Sequence, residues 1–174
     1  ASGEDGILDC PACGYAANQE RAERRVQVVP YQTEAGAPEE VATPGQHSCE
    51  EVARFLGRPI DQIVKSLVLL VGGKPVMVLV PGDRELSETK LRRLFGGAKV
   101  EEADEATVAK VAGPVGSIGP VGVELPIYAD RALEGAADMV VGANKEGFHL
   151  AHVSLARDAK VVAYEDLVTV REGD

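Results

Sequence analysis

Two apolar segments separated by a pair of glycines limit the folds open to this chain more than any other feature of the sequence. Val64–Val71 is a nearly continuous apolar run, and Pro75–Val80 is a second one. Apolar runs of this length that are rich in β-branched residues are typical of buried β-strands. The intervening Gly72-Gly73 is a hairpin signal. The sequence therefore predicts two buried strands joined by a tight turn.

Helix and strand signals alternate irregularly along the rest of the chain. Ser48-Cys49-Glu50-Glu51 has the form of a capping box, in which Ser48 is the N-cap. The predicted helix ends at Gly57 and buries three apolar side chains, Val52, Phe55 and Leu56. The other predicted elements are helices over Ser87–Phe95 and Asp104–Val111 and strands at Leu125–Ala129, Met139–Val141, Phe148–Val153 and Lys160–Ala163. This order indicates an α+β fold with a mixed sheet rather than regular βαβ winding.

The charge balance limits the partners of the chain. Its 174 residues include 28 acidic and 18 basic side chains, a formal net charge of −10. A self-sufficient nucleic-acid-binding protein usually has the opposite sign, because its affinity comes from neutralising phosphates. Any nucleic acid is therefore expected to be delivered by another component or contacted at one end only. No apolar run approaches the ~20 residues that span a bilayer, and three cysteines without a disulfide framework favour a cytoplasmic location.

The first 42 residues differ in composition from the rest. Cys10-Pro11-Ala12-Cys13 is followed by a charged run, Glu20–Arg25, and then by a Gly/Pro/acid stretch, Thr33–Glu40, that is typical of a linker. Little in this region is expected to form a core. We therefore divide the chain into a connecting segment, residues 1–42, and a globular domain, residues 43–174.

The cysteine pair raises a metal-site hypothesis. Cys10-x-x-Cys13 is one half of a zinc knuckle, and His47-x-Cys49 is a second pair that can in principle close it. Cys49 lies in a predicted helix, however, which would point His47 and Cys49 in different directions. No metal site is therefore expected.

Lys65 is anomalous because it interrupts an apolar strand. It shares a strand face with Leu67, Leu69 and Val71. A lysine at the lip of an apolar strand can hold an anion or the polar end of a substrate. The alternative, a lysine that extends from the end of a strand into water, stays open.

Gly113–Gly122 is a loop with few side chains and with glycine at every third position. It has neither the Gly-Lys-Ser/Thr ending of a P-loop nor the Gly-x-Gly-x-x-Gly spacing of dinucleotide sites. Such a loop lets backbone N–H groups approach a ligand closely, which suits a carbonyl or an oxyanion. A purely structural turn between a helix and a strand is the alternative.

His149 enters the second strand of a predicted strand–turn–strand unit, Asp138–His149. A histidine there can be a general base, a hydrogen-bond donor to a substrate, or a sheet residue without a chemical role. His152 follows three residues later and is expected on the opposite face of that strand.

Six segments, taken in order, resemble one known family: Ser2–Asn18, Thr43-Pro44-Gly45, Ile63–Leu67, Val80–Glu88, Gly116–Pro120, and Val140–Asn144 with Gly147 and His149. They resemble the editing domain inserted into bacterial-type prolyl-tRNA synthetase, a member of the YbaK-like aminoacyl-tRNA deacylases. The resemblance covers nearly the whole chain. It implies the YbaK-like fold, a curved, largely antiparallel mixed sheet or partial barrel flanked by helices. Pro81, Ser87 and Lys145-Glu146 depart from the family pattern, away from its presumed centre.

The resemblance implies post-transfer editing, in which the ester joining a wrong amino acid, chiefly alanine, to the proline tRNA is hydrolysed. Alanine is smaller than proline, so it enters the aminoacylation site and must be removed at a second site too small for proline. The expected partners are the aminoacylated 3′ end of that tRNA and the rest of a prolyl-tRNA synthetase. The ATP and proline site is absent and the chain begins at Ala1. We therefore expect an excised deacylase domain that needs no cofactor and does not make prolyl-tRNA.

The resemblance also implies roles for individual residues, and it implies no protein nucleophile. Lys65 would hold the terminal adenosine, and backbone N–H groups from Gly116 to Pro120 would bind the ester carbonyl and stabilise the oxyanion. A water helped by a ribose hydroxyl would attack, while His149 and Asp130 would align the substrate. The implied substrate-binding residues are Thr43 at the cavity mouth, Cys49, Val52 and Leu67 in its walls, and Ser117, Ile118, Gly119 and Pro120 in the loop.

Three alternatives stay open. A free-standing deacylase of the same superfamily with another specificity is disfavoured by Cys10–Asn18, because free-standing members begin close to Thr43. A binding module with a dead site is disfavoured by the joint presence of Lys65, the glycine loop and His149. A small zinc-binding interaction domain would contain metal on analysis.

Overall fold

The computed structural model describes residues 6–18, 22–172 and 174. Its strands are β1 (Ile7–Asp9), β2 (Ala16–Asn18), β3 (Glu39–Ala42), β4 (Val64–Val71), β5 (Lys74–Pro81), β6 (Val100–Glu102), β7 (Ile127–Asp130), β8 (Met139–Gly142), β9 (Phe148–Val153) and β10 (Val161–Glu165). Its α-helices are α1 (Cys49–Leu56), α2 (Glu88–Leu94), α3 (Glu105–Val111) and α4 (Leu155–Asp158), and short 3₁₀ turns occupy Ile60–Gln62 and Arg131–Leu133.

A five-stranded sheet in the order β10-β7-β5-β4-β6 forms the centre of the fold. β4 and β5 pair antiparallel over their whole length, from Val64 opposite Pro81 to Val71 opposite Lys74. Gly72 and Gly73 both have positive φ, 56° and 80°, as a two-residue hairpin turn of the favoured twist requires. The hairpin predicted from the sequence is therefore confirmed. β7 pairs in parallel with both β5 and β10, which makes the sheet mixed.

A second sheet of three antiparallel strands, in the order β3-β9-β8, packs beside the first. The main core contains Val68 and Met77 from the large sheet and Met139 and Val153 from the small one. On the other side, α2 packs through Leu91 onto a separate cluster with β4 and β5. The predicted α+β class with a mixed, largely antiparallel arrangement is confirmed, and among the described residues neither sheet closes into a barrel.

Residues 22–42 are more structured than their composition predicts. β3 lies partly inside the stretch predicted as a linker, and Glu39 pairs with Ala151 on β9. Val29 is 5% exposed and belongs to the main core, and Ala22 is also buried. The expectation that little here forms a core is therefore wrong for the described residues. The Ser2–Asp5 segment and the start of the Glu20–Arg25 run lie outside them.

The capping box at α1 is present as predicted. Ser48 Oγ accepts a hydrogen bond from the Glu51 N–H at 3.2 Å, and Glu51 Oε2 accepts one from the Ser48 N–H at 3.0 Å. Gly57 ends the helix with φ 62°. The prediction that Phe55 is buried is wrong, since its side chain is 51% exposed. At about 100° per residue, Val52 and Leu56 share the inward face and Phe55 lies beside it.

We expect Ser48→Ala to lower the free energy of unfolding by about 1 kcal/mol, because it leaves an N-terminal N–H of α1 without its acceptor. Urea denaturation of the wild type and the variant measures the difference. Ser154→Ala is the matched control, since Ser154 is an N-cap whose side chain makes no capping hydrogen bond. Equal losses in the two variants would contradict the capping contribution.

No helix within the described residues is both long and apolar enough to cross a membrane.

Candidate active site

A cavity of about 250 Å³ opens where the N-terminus of α1, strand β4, the glycine loop and β9 converge. This size is slightly below the roughly 300–1,000 Å³ that is typical of small-molecule sites. Seven of the residues predicted from the sequence line it, namely Cys49, Val52, Lys65, Leu67, Gly116, Ile118 and His149. The structure thus brings the anomalous lysine, the glycine loop and the histidine to one place.

Lys65 lies at the lip of the cavity with its side chain 25% exposed. Its Nζ donates hydrogen bonds to the Arg84 carbonyl oxygen at 3.0 Å and to Glu85 Oε1 at 2.8 Å. Glu85 is 83% exposed, so this ion pair is of the weak, solvent-screened kind. An incoming anion or hydroxyl can therefore replace the carboxylate at little cost while the carbonyl keeps the ammonium in position.

The cavity walls beneath Lys65 are apolar. Val52 is 2% exposed and packs with Ile63 and Val140 in the cluster under α1, and Cys49 and Leu67 complete this wall. Burial raises the pKa of the Cys49 thiol to about 11. The thiol is therefore protonated at neutral pH and is not a nucleophile, since the thiolate is the reactive form.

His149 is 5% exposed, and its Nδ1 lies 2.7 Å from Thr43 Oγ1. Burial lowers the pKa of the imidazole, because the charged form is disfavoured away from water. At neutral pH the ring is uncharged. The Thr43 contact occupies Nδ1 and leaves Nε2 as the nitrogen able to meet a ligand.

The lowered pKa of His149 predicts a pH dependence of stability. Below about pH 6.5 the unfolded chain binds a proton at this histidine that the folded chain does not bind. The free energy of unfolding should therefore fall as the pH decreases from about 6.5 towards the lower pKa of the folded state. Urea denaturation at pH 7.5 and 5.5 should show a smaller loss for His149→Gln than for wild type. Identical losses would contradict the assignment, because His47 and His152 are present in both proteins.

Asn144 fixes the glycine loop against the turn between β8 and β9. Its Oδ1 accepts from the Gly119 N–H at 2.7 Å, its Nδ2 donates to the Val121 carbonyl at 3.0 Å, and its own N–H donates to the Ser117 carbonyl at 2.7 Å. Gly119 is required here because a Cβ would overlap the carbonyl oxygen of Gly142. The loop is thus held rigidly from below.

Within Gly116–Pro120, two residues that line the cavity have N–H groups without an acceptor among the described residues. Ser117 donates its N–H to the Pro114 carbonyl, Gly119 donates to Asn144, and Pro120 has none. Among the described residues, no acceptor pairs with the N–H of Gly116 or of Ile118, and both residues line the cavity. If the segment from Gly116 to Pro120 binds the ester carbonyl as predicted, the N–H groups that do so are therefore those of Gly116 and Ile118.

Several predicted residues lie outside the cavity. Thr43 is fully buried rather than at the mouth, and it contacts His149 instead. Ser117, Gly119 and Pro120 are buried in the base of the loop. Their contribution is to loop shape, and they do not line the cavity.

Asp130 also lies away from the cavity. It is fully buried at the end of β7, where it forms an ion pair with Arg24 and accepts hydrogen bonds from the N–H groups of Ala132 and Leu167, each at 2.9 Å. Its acceptor capacity is used by the fold, so the geometry does not support the catalytic role predicted for it. Asp130 instead holds Arg24, and with it the described start of residues 22–42, on the domain.

The sequence interpretation missed three residues at this site. His47 lies against Gly116 at the mouth, and Ser66 Oγ is buried on the cavity wall without a hydrogen-bond partner among the described residues. Asn144 lay inside a matching segment but received no role. Its φ is 57°, a left-handed conformation that asparagine adopts more readily than most residues other than glycine. An asparagine in a predicted turn is therefore the sequence signal that marks this position.

His152 behaves as expected for the opposite side of β9. It has φ 60°, and its Nδ1 contacts Asp138 Oδ1 at 2.6 Å, away from the cavity. No cluster of three His, Cys, Asp or Glu side chains suited to a metal ion occurs within residues 6–18, 22–172 and 174.

A family model described as the aminoacyl-tRNA editing domain matches residues 43–159. The chain belongs to this family. The match includes α1, Lys65, the glycine loop and His149, and thus the whole cavity. It begins at the residue where the sequence placed the start of the globular domain.

Relatives of this editing domain are proline–tRNA ligases. Those of Desulfovibrio desulfuricans and Solidesulfovibrio magneticus are 49% and 48% identical to it, over 99% of this chain in each case. The chain spans only 30% of the length of either ligase. A crystal structure described as that of a proposed trans-editing enzyme for prolyl tRNA synthetase has 27% identity and a TM-score of 0.64, covering 76% of this chain and 87% of that one. The family resemblance and the YbaK-like fold are confirmed.

Proposed function

We propose that this editing domain hydrolyses the ester of alanine mischarged onto the proline tRNA, as the post-transfer editing part of a prolyl-tRNA synthetase. The observation that supports it best is the cavity itself. It combines a cation at the lip, two unpaired N–H groups and an uncharged histidine over a small apolar wall. These are the parts that hydrolysis of a small aminoacyl ester requires.

The apolar wall suits selection by size. Val52, Cys49 and Leu67 surround the space below the reacting ester in this proposal, and Val52 is packed into the cluster under α1. Close-packed walls of this kind move little, so the proline ring, which is larger than the methyl group of alanine, meets a steric cost. Alanine enters and proline is excluded, which is the second sieve that a synthetase needs when binding alone cannot discriminate enough.

Lys65 is assigned to the terminal adenosine of the tRNA. Its ammonium is held by the Arg84 carbonyl, and its exposed partner Glu85 is replaceable. A charge-assisted hydrogen bond to a ribose or phosphate oxygen is worth about 1.5–3 kcal/mol. This contact places the ester over the glycine loop.

The Gly116 and Ile118 N–H groups are assigned to the ester carbonyl. As water adds to the carbonyl carbon, negative charge develops on its oxygen, and preorganised backbone donors stabilise that charge. The ribose then leaves with its hydroxyl restored, and the alanine carboxylate is released. A neighbouring ribose hydroxyl helps to position the water, and uncharged His149 aligns the amino acid. The proposal includes no cofactor, and ATP serves only the ligation reaction of the rest of the synthetase.

The charge of −10 fits a domain that contacts only the end of its substrate. We assign the tRNA body to the remainder of the ligase, which accounts for 70% of the length of the relatives by subtraction from the 30% covered. The isolated chain should then bind tRNA weakly and act on the cytoplasmic pool of aminoacylated tRNA.

Incubation of the chain with alanyl-tRNA and prolyl-tRNA of the proline isoacceptor tests the proposal. Release of alanine with retention of proline is expected. Hydrolysis of both at equal rates would refute size exclusion, and hydrolysis of alanyl-tRNA of any isoacceptor at one rate would favour a free-standing type of deacylase. Hydrolysis of neither, by the chain or by the full-length ligase, would leave the binding-module alternative.

A further inference from the structure

The described N-terminal residues form a small ribbon of β1 and β2 whose turn contains two cysteines. The Cys10 N–H donates to the Tyr15 carbonyl at 2.8 Å, and the Cys10 carbonyl accepts from the N–H groups of Cys13 at 3.4 Å and Gly14 at 2.8 Å. Gly14 has φ 71°, which allows the chain to leave the turn. Cys10 and Cys13 thus occupy the first and fourth positions of a reverse turn, where Cα atoms lie within about 7 Å. Disulfides need a separation of roughly 4.4–6.8 Å.

The two sulfur atoms contact each other in this turn. The Cys13 thiol donates a hydrogen bond to the Cys10 sulfur, and the Ala12 N–H donates to the same atom. These contacts lower the pKa of the Cys10 thiol from its ordinary value, and the contact with Cys13 has the largest effect. Cys13 is exposed and Cys10 is half-buried, so both are accessible to a small reagent.

The third cysteine of the chain provides an internal contrast. Cys49 lies in the cavity wall, and burial raises the pKa of its thiol to about 11. At pH 7 its thiolate fraction is about 10⁻⁴, whereas a thiol at or below 9 has a fraction of 10⁻² or more. The editing cavity makes no use of Cys10 or Cys13, because neither residue lines it.

We propose that Cys10 and Cys13 form a thiol–disulfide exchange site for low-molecular-weight disulfides of the glutathione type. Two sulfurs in contact, at the ends of one turn and open to solvent, are arranged for this chemistry. The site is independent of the editing cavity, so its success or failure does not depend on the proposed deacylation.

The exchange balances in two steps. The Cys10 thiolate attacks one sulfur of the small disulfide, so that a mixed disulfide forms at Cys10 and one small thiolate leaves. Cys13 gives its proton to solvent and attacks the Cys10 sulfur, which forms the Cys10–Cys13 bond and releases the second small thiolate. The two cysteines together lose two electrons, and the small disulfide is reduced to two thiols.

Alkylation of the native chain tests the reactivity. Limited iodoacetamide at pH 7, followed by peptide mass spectrometry, should modify Cys10 about tenfold faster than Cys49, because the larger thiolate fraction of Cys10 outweighs the lower nucleophilicity of its less basic thiolate. A Cys10 rate no higher than that of Cys49 would overturn the proposal.

Glutathione disulfide tests the exchange itself. The wild type should lose two hydrogens across Cys10 and Cys13, and Cys13→Ser should accumulate a mixed disulfide at Cys10. Cys10→Ser is the matched control and should form the adduct at Cys13 more slowly. Equal adduct formation in the two variants would overturn the assignment of Cys10 as the attacking group. Zinc that copurifies at a stoichiometric level and protects both thiols would overturn the exchange role in favour of a metal site.

Discussion

Lys65→Ala is expected to reduce hydrolysis of alanyl-tRNA by about 10- to 100-fold in kcat/KM. This factor follows from losing one charge-assisted hydrogen bond of about 1.5–3 kcal/mol to the terminal adenosine. Lys65 is the cation of the cavity lip, and its ammonium is already oriented by the Arg84 carbonyl at 3.0 Å. Single-turnover deacylation with the substrate below saturation measures the loss.

Lys145→Ala is the matched control for Lys65→Ala. Lys145 also forms a 2.8 Å ion pair with a glutamate, Glu40, but it lies outside the cavity lining. Its replacement should leave deacylation within about twofold of wild type, because exposed pairs contribute little. Full activity in Lys65→Ala, or an equal loss in Lys145→Ala, would contradict the role of Lys65 at the site.

The parts of the fold that were predictable are those fixed by neighbours in sequence. The β4–β5 hairpin depends on two glycines between apolar runs, and α1 depends on a capping box within four residues. β3 was missed because its partner is distant: Glu39 pairs with Ala151, across more than 100 residues of chain. Its Gly/Pro/acid surroundings resemble a linker, and only the long-range pairing makes it a strand.

Several residues of the site could be predicted from the sequence, but their arrangement in space could not. Lys65 and the glycine loop are visible locally because each breaks the pattern around it, while their meeting in one cavity needed the family resemblance. Asp130 shows the opposite case. The family resemblance implies that it aligns the substrate, yet burial against Arg24 makes it structural, and that ion pair joins residues 106 positions apart. The distribution of N–H donors in the loop likewise depends on Asn144, which lies 25 residues beyond Gly119.

Gly116→Ala is expected to reduce alanyl-tRNA hydrolysis by about 100- to 1,000-fold. Gly116 has φ 86°, and a Cβ there would lie 3.0 Å from Nδ1 and 3.2 Å from Cβ of His47. Either His47 gives by a few tenths of an ångström or the loop shifts, and the left-handed φ strains an alanine here in both cases. We expect the strained loop to turn the Gly116 and Ile118 N–H groups away from the ester carbonyl. Loss of one oxyanion donor costs about 2.7–4 kcal/mol in the transition state, which corresponds to this factor. Single-turnover kinetics measure it.

Gly122→Ala separates this effect from backbone strain. Gly122 has φ 78°, close to that of Gly116, but a Cβ there meets no atom within 4 Å, and Gly122 does not line the cavity. Both variants should lose a similar 1–2 kcal/mol of stability from left-handed backbone, and only Gly116→Ala should lose catalysis. Because the ground-state ester carbonyl needs these donors less than the oxyanion does, the loss should fall on kcat rather than on KM. A deficit of the same size in Gly122→Ala, or one confined to KM, would mean that the loop shapes the cavity without stabilising the oxyanion.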